Sequence, residues 1–154
     1  MRPPTKKREF AFTINDVARL LRTLADQRAA KFGMTRAQWA VLFRLDRTQG
    51  LKQCELAEIL DLQPITLTRQ LDRLCDSGLI ERRPDPDDRR VKRLYLTPAA
   101  APVLERLGDV GEELLGTALA GLGEPVVEQM LENLTAVKEN LRQAIQKTQT
   151  AFSG

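Results

Sequence analysis

One stretch, Gln53 to Thr97, constrains this chain more than any other: QCELAEILDLQPITLTRQLDRLCDSGLIERRPDPDDRRVKRLYLT. It reads as a short helix, a tight turn, a second helix and an arginine-rich hairpin. Gln53 to Leu60 puts Leu56, Ala57 and Leu60 on one helical face. Asp61, Leu62 and Gln63 form the turn. Pro64 suits the first turn of the next helix, where its missing N–H costs no hydrogen bond. That helix buries Leu67, Leu71 and Leu74 and ends at Gly78. Ala57 is small enough for the two helices to cross closely, and Leu62 plugs the turn into the core. A helix pair with a turn of this length is a helix-turn-helix.

Two strands are expected next, Leu79 to Arg83 and Val91 to Leu96. The second alternates Val91, Arg93 and Tyr95 with Lys92, Leu94 and Leu96, so one face is available for burial. Pro84 to Asp88 is a loop. The flanks are helical. Val17, Leu20, Leu21 and Leu24 mark a helix between Phe12 and Phe32, with Gly33 as its left-handed stop. Thr35 and Gln38 form a capping box for a helix that carries Trp39, Leu42, Phe43 and Leu45. Thr97 and Pro98 are placed as N-cap and first helical residue. Two further leucine-striped helices follow, one on Leu104 to Leu119 and one on Val127 to Ile145. Glycines 108, 111 and 116 weaken the former and are read as sites of close helix crossing.

The chain has no histidine, which removes the usual general base and the commonest metal ligand. Ser-His-Asp and Cys-His hydrolases are excluded. Its two cysteines, Cys54 and Cys75, cannot make a Cys-only structural zinc site. They read as reduced thiols of a cytoplasmic protein, with a redox switch at Cys54 as the alternative. No phosphate-binding loop or nucleophile motif appears, so no cofactor, metal or enzymatic activity is expected. No apolar run has the length of a membrane span. Net charge is +3, and its placement matters more than its size. Arg82, Arg83, Arg89, Arg90, Lys92 and Arg93 crowd the hairpin. Arg2, Lys6, Lys7 and Arg8 read as a solubilising, disordered end.

The second helix of such a pair lies in the DNA major groove with its N-terminal residues at base edges. Here those are Pro64, Ile65, Thr66, Thr68 and Arg69. Arg69 suits a bidentate contact to guanine, and Thr66 or Ile65 a thymine methyl. Arg73, one turn on, suits a phosphate. The hairpin tip Asp88-Arg89-Arg90 brings arginine to the minor groove, with Asp88 pairing one guanidinium and fixing its direction. Double-stranded DNA is therefore the expected partner. A protein-interaction module and a nonspecific architectural DNA binder remain the alternatives.

These residues resemble the MarR family of winged-helix regulators, and within it the SlyA-like branch. Leu56-Ala57, Gln63-Pro64, Leu67 to Leu74, Gly78 to Arg82, Asp88-Arg89-Arg90 and Leu96-Thr97 carry the likeness, as does Met34 to Trp39. It runs from about Phe12 to Ile145. The resemblance implies a mainly α fold with a small β-hairpin wing: a winged helix-turn-helix plus a helical dimerisation region. Residues 1–154 would form a single MarR-type domain, with 10–33 and 98–147 as dimerisation helices and 35–97 as the DNA-binding lobe. It implies a homodimer on an inverted-repeat operator, most simply a repressor released by a small aromatic or acyl-thioester effector. Phe32, Trp39 and Phe43 would line the effector pocket, although aromatics at helical spacing also serve as core. Relatives that sense oxidants carry a cysteine in the first helix, and this chain has none there.

Overall fold

Local signals set most of the helix ends. In the computed structural model, residues 5–152 are described, with side-chain surroundings as far as residue 149. Helix α1 spans Lys6–Ala30, α2 Arg36–Arg47, α3 Gln53–Ile59 and α4 Pro64–Asp76. Three strands, β1 Leu51–Lys52, β2 Ile80–Pro84 and β3 Lys92–Leu96, surround the helix pair in sequence. A 3-10 turn at Pro98–Ala100 leads into α5 Ala101–Ala118, and α6 covers Glu124–Phe152.

The Thr35 hydroxyl accepts from the Gln38 N–H, and the Gln38 side chain accepts from the Thr35 N–H, closing the expected capping box. Gly33 and Gly78 take the left-handed conformation expected of helix-ending residues. Helix α1 begins earlier than its leucine spacing predicts. The Thr5 hydroxyl accepts from the Arg8 N–H, and Glu9 adds a favourable charge in the first turn. Lys6, Lys7 and Arg8 are therefore helical rather than a disordered end; Arg2 lies outside the described residues. Thr97 does not cap a helix with its side chain. Its hydroxyl donates to the Gly78 carbonyl and so ties the exit of the hairpin to the end of α4.

The sheet order is β1-β3-β2, all antiparallel. Strand β1 has only two residues, too few to show an alternating pattern, and exists because Leu51 pairs with Leu94. The core of this lobe is Trp39, Val41, Leu42 and Leu45 of α2, Leu56 and Ala57 of α3, Leu67, Leu71 and Leu74 of α4, and Ile80 and Leu94 of the sheet. Leu62 packs against it from the turn, as its position predicts. Burying each leucine contributes roughly 1.5–3 kcal/mol. That core fixes the angle at which α4 is presented.

The chain forms two compact units, residues 1–114 and 115–154. In the first, α1 contributes only Ala29 to the core, and Arg28 and Asp26 tie it to Glu113 and Arg36 at 3.0 and 2.8 Å. Gly111 faces Trp39 and Phe43, and a Cβ there would sit in ordinary contact at 3.9 and 4.0 Å. Glycines 108 and 116 have open space instead, so none of the three sits where a Cβ would be crowded out, and the close crossing expected of them is not seen. In the second unit, no α6 residue whose side chain is described is buried.

Candidate nucleic-acid interface

Pro64 opens α4 in the position its missing N–H suits, and the helix shows two distinct faces. Leu67, Leu71 and Leu74 are buried, while Ile65, Thr66, Arg69 and Arg73 are exposed. Ile65 keeps 66% of its surface in solvent, unusual for a large aliphatic residue at a helix start. Thr68 differs from its neighbours. Its hydroxyl donates to the Pro64 carbonyl at 2.9 Å and accepts from Nε2 of Gln53 at 2.9 Å. Its single proton is thus already used, which leaves the methyl group as the part free to meet a base. Gln53, which the sequence reading passed over, links the start of α3 to this face of α4.

Beyond α4 the chain is held to the hairpin by Arg82, whose Nη2 lies 2.8 Å from Asp72 Oδ1. Arg83 lies over the Tyr95 ring, 4.3 Å from its centroid, and pairs with Glu81. At the tip, Asp88 Oδ1 accepts from the Arg90 N–H at 3.0 Å and from Arg90 Nε at 3.2 Å. This is the pairing expected of an aspartate beside two arginines. It leaves the Arg90 side chain 92% exposed but biased in direction. Arg89 is exposed beside it.

The base of the tip holds a second carboxylate that the sequence reading treated only as part of a loop. Asp85 is 3% exposed. Its Oδ1 accepts from the N–H groups of Asp87 and Asp88, at 2.9 and 3.1 Å, and its Oδ2 accepts from Arg93 Nε at 2.6 Å. The Asp87 N–H and then the Arg93 guanidinium hold its carboxyl below the usual range, against the opposing effect of burial. Arg93 is therefore withdrawn from the cluster of hairpin cations. The available signal was an aspartate placed two and three residues before backbone N–H groups that need an acceptor, an Asx-turn pattern.

An open cleft of about 700 Å³ separates the start of α4 from the hairpin. Cys54, Ala57, Leu62 and Pro64 line one side and Arg90 and Lys92 the other. One lobe thus presents an exposed helix start and an arginine-tipped hairpin across a single groove. The predicted effector residues lie elsewhere: Phe32 is exposed, while Trp39 is buried and packs on half-buried Phe43 with ring centroids 5.9 Å apart. Among the described residues there is no cluster of side chains able to hold a metal ion, and no helix long and apolar enough to cross a membrane.

Residues 34–92, which include α2, the helix pair and most of the hairpin, match the family model described as MarR family. Over that stretch the chain is similar to the MarR family. Solved structures agree over nearly its whole length. A crystal structure of MarR aligns with a TM-score of 0.78 at 25% identity, covering 96% of this chain and 97% of that one. The transcriptional regulator SlyA aligns with a TM-score of 0.73 at 25% identity, covering 87% and 94%. A cysteine-to-serine mutant of MarR from E. coli, complexed with operator DNA, aligns with a TM-score of 0.69 at 28% identity, covering 84% and 93%. Members of the MarR family are transcriptional regulators and not enzymes, and the fold here is theirs: mainly helical with a small three-stranded antiparallel wing.

Proposed function

We propose that this chain is a MarR-family member, a cytoplasmic homodimer that binds an inverted-repeat DNA operator and represses transcription until a small aromatic or acyl-thioester ligand releases it. One observation carries the DNA reading: the exposed start of α4 and the Arg90 tip face each other across one cleft. In the DNA complex, Pro64, Ile65, Thr66, Thr68 and Arg69 meet the major groove. The intervening backbone strand runs through the cleft past Lys92, and Arg89 or Arg90 enters the minor groove, with Asp88 as its brace. Arg73 meets a phosphate. The mutant MarR complexed with operator DNA supports this reading by its likeness to the present chain.

The homodimer is supported by apolar surface that the single chain leaves uncovered. Helix α1 exposes Phe10, Phe12, Val17 and Leu20. Helix α6 exposes Met130, Leu131, Leu141 and Ile145, with Leu131 at 61%. Exposed stripes of this size mark an association surface. Residues 10–33 and 98–147 are the proposed dimerisation helices and 35–97 the proposed DNA-binding lobe of a single MarR-type domain. A two-fold dimer reads an inverted repeat with half-sites about one helical turn apart.

The effector reading is supported by Trp39. Its Nε1 is buried and has no hydrogen-bond partner among the described residues. A buried indole N–H ordinarily finds an acceptor, and a carboxylate or thioester carbonyl beside Phe43 supplies one. Such a ligand releases the operator only by binding the DNA-free arrangement more tightly.

The test begins by selecting a randomised duplex pool on the full chain. An enriched inverted repeat, a discrete footprint and steep salt dependence are expected. Sedimentation should give a dimer. Hydroxybenzoates and acyl-coenzyme A thioesters are then titrated into the complex. Uniform protection without an enriched sequence would instead identify an architectural DNA binder, and binding indifferent to salt would remove DNA as the partner.

A further inference from the structure

We infer that Asp85 and Arg93 are positioning residues for DNA recognition, holding the hairpin tip that carries Arg90 against the turn that ends α2. The inference rests on the reading of Arg90 as the minor-groove arm.

The connection can be followed atom by atom. The Gly50 carbonyl, in the turn after α2, accepts from Arg93 Nη1 at 2.8 Å. Arg93 Nε donates to Asp85 Oδ2. Asp85 Oδ1 accepts from the Asp88 N–H, and Asp88 Oδ1 accepts from the backbone and side chain of Arg90. The tip is closed on itself by Asp85 N–H to the Val91 carbonyl and Val91 N–H to the Asp88 carbonyl, both 2.9 Å. On the other side, the Gly50 N–H donates to the Leu94 carbonyl and the Leu96 N–H donates to the Gln49 side chain, so the turn is itself fixed to β3. Arg90 stands in solvent. What limits its freedom is the backbone of the tip, and what limits the tip is the almost fully buried Asp85 carboxylate. An arm aimed before binding loses less entropy on reaching its groove.

The experiment is a double-mutant cycle on the selected duplex, using the full chain. Arg90→Ala and Asp85→Asn are each expected to weaken binding, Asp85→Asn by about three- to tenfold, the scale of ordering one long side chain. If Asp85 acts through Arg90, adding Asp85→Asn to Arg90→Ala changes affinity by less than about twofold. Hydroxyl-radical protection at the minor-groove positions should fade in Asp85→Asn while major-groove protection by α4 persists. Arg93→Lys keeps a charge beside Asp85 and loses the fork that reaches Gly50. It gives the same cycle in a fold that retains the buried pair, and circular dichroism verifies that fold. If Arg90→Ala binds as the parent does, the reading of Arg90 as the minor-groove arm falls and this inference with it. If Arg90→Ala weakens binding but the losses from Asp85→Asn and Arg93→Lys add to it in full, the positioning role alone is wrong.

Discussion

Gly50 lies against the side chain of Tyr95. A Cβ on Gly50 would meet the Tyr95 hydroxyl oxygen at 2.9 Å and the ring carbon beneath it at 3.2 Å. Gly50 also has φ +75, a conformation that costs other residues roughly 1–2 kcal/mol. Both effects act on Gly50→Ala, so it should lose about 2–3 kcal/mol in urea unfolding, allowing for some yielding of the Tyr95 ring. Gly33→Ala is the control. Gly33 shares the backbone conformation at φ +65 but has nothing within 4 Å, so about 1 kcal/mol is expected there. Equal losses at the two sites would show that the Tyr95 contact contributes nothing.

Leu71 and Ile65 lie on opposite faces of α4, one fully buried and one largely exposed. Leu71→Ala should destabilise the fold by about 2–5 kcal/mol. Ile65→Ala should change stability by less than about 0.5 kcal/mol while lowering affinity for the selected duplex. Chemical denaturation and fluorescence anisotropy measure the two quantities separately. A large stability loss from Ile65→Ala would place that residue in the core instead of at the groove.

Arg69 and Arg73 are one helical turn apart, and both are exposed. Arg69→Ala should cost about 1–3 kcal/mol and relax sequence preference at one base pair of each half-site. Arg73→Ala should weaken binding evenly across sequences and lower the salt slope by about one. Affinity measured across single-base variants of the duplex and several salt concentrations distinguishes them. The same pattern for both variants would sink the division into base reader and phosphate anchor.

Asp85 makes the hairpin sensitive to acid. Its folded-state pKa lies below the unfolded value because the Asp87 N–H and Arg93 favour the charged form. The stabilisation is therefore complete above the unfolded pKa of about 3.9 and disappears as pH falls through the lower, folded value. Asp85→Asn removes that dependence. The difference in stability between parent and variant should hold from neutral pH to about 5 and shrink below about 4, as followed by thermal unfolding at each pH. A constant difference through that window would mean that Asp85 carries no charge-dependent stability.

The two thiols should react unequally. Cys54 is exposed at the cleft, whereas Cys75 is partly buried and burial pushes its thiol pKa up. Alkylation followed by peptide mass spectrometry should modify Cys54 well before Cys75 under native conditions. Prior binding of the selected duplex should protect Cys54. Faster reaction at Cys75 would imply that the end of α4 opens readily.

Most helices were legible in the sequence because their signals are local. Thr35 and Gln38 are three residues apart, Pro64 sits one residue inside α4, and the leucines repeat at helical spacing. Asp88 beside Arg90 was legible for the same reason. Other features depend on residues far apart in the chain. Leu51 and Lys52 become a strand only because Leu94 and Arg93 lie opposite them. Arg93 looked like one more hairpin cation until the fold brought it to Asp85 and Gly50. Thr68 looked like a free hydroxyl until α3 placed Gln53 beside it.

By itself, then, the sequence determined the helix-turn-helix, the charge of the hairpin and the absence of histidine chemistry. Each follows from residue type and short spacing. Which charged and polar groups remain free to meet a partner was decided only by the tertiary structure. A hydrogen-bonding group used within the fold is not available outside it, and that pairing is set by approach in space.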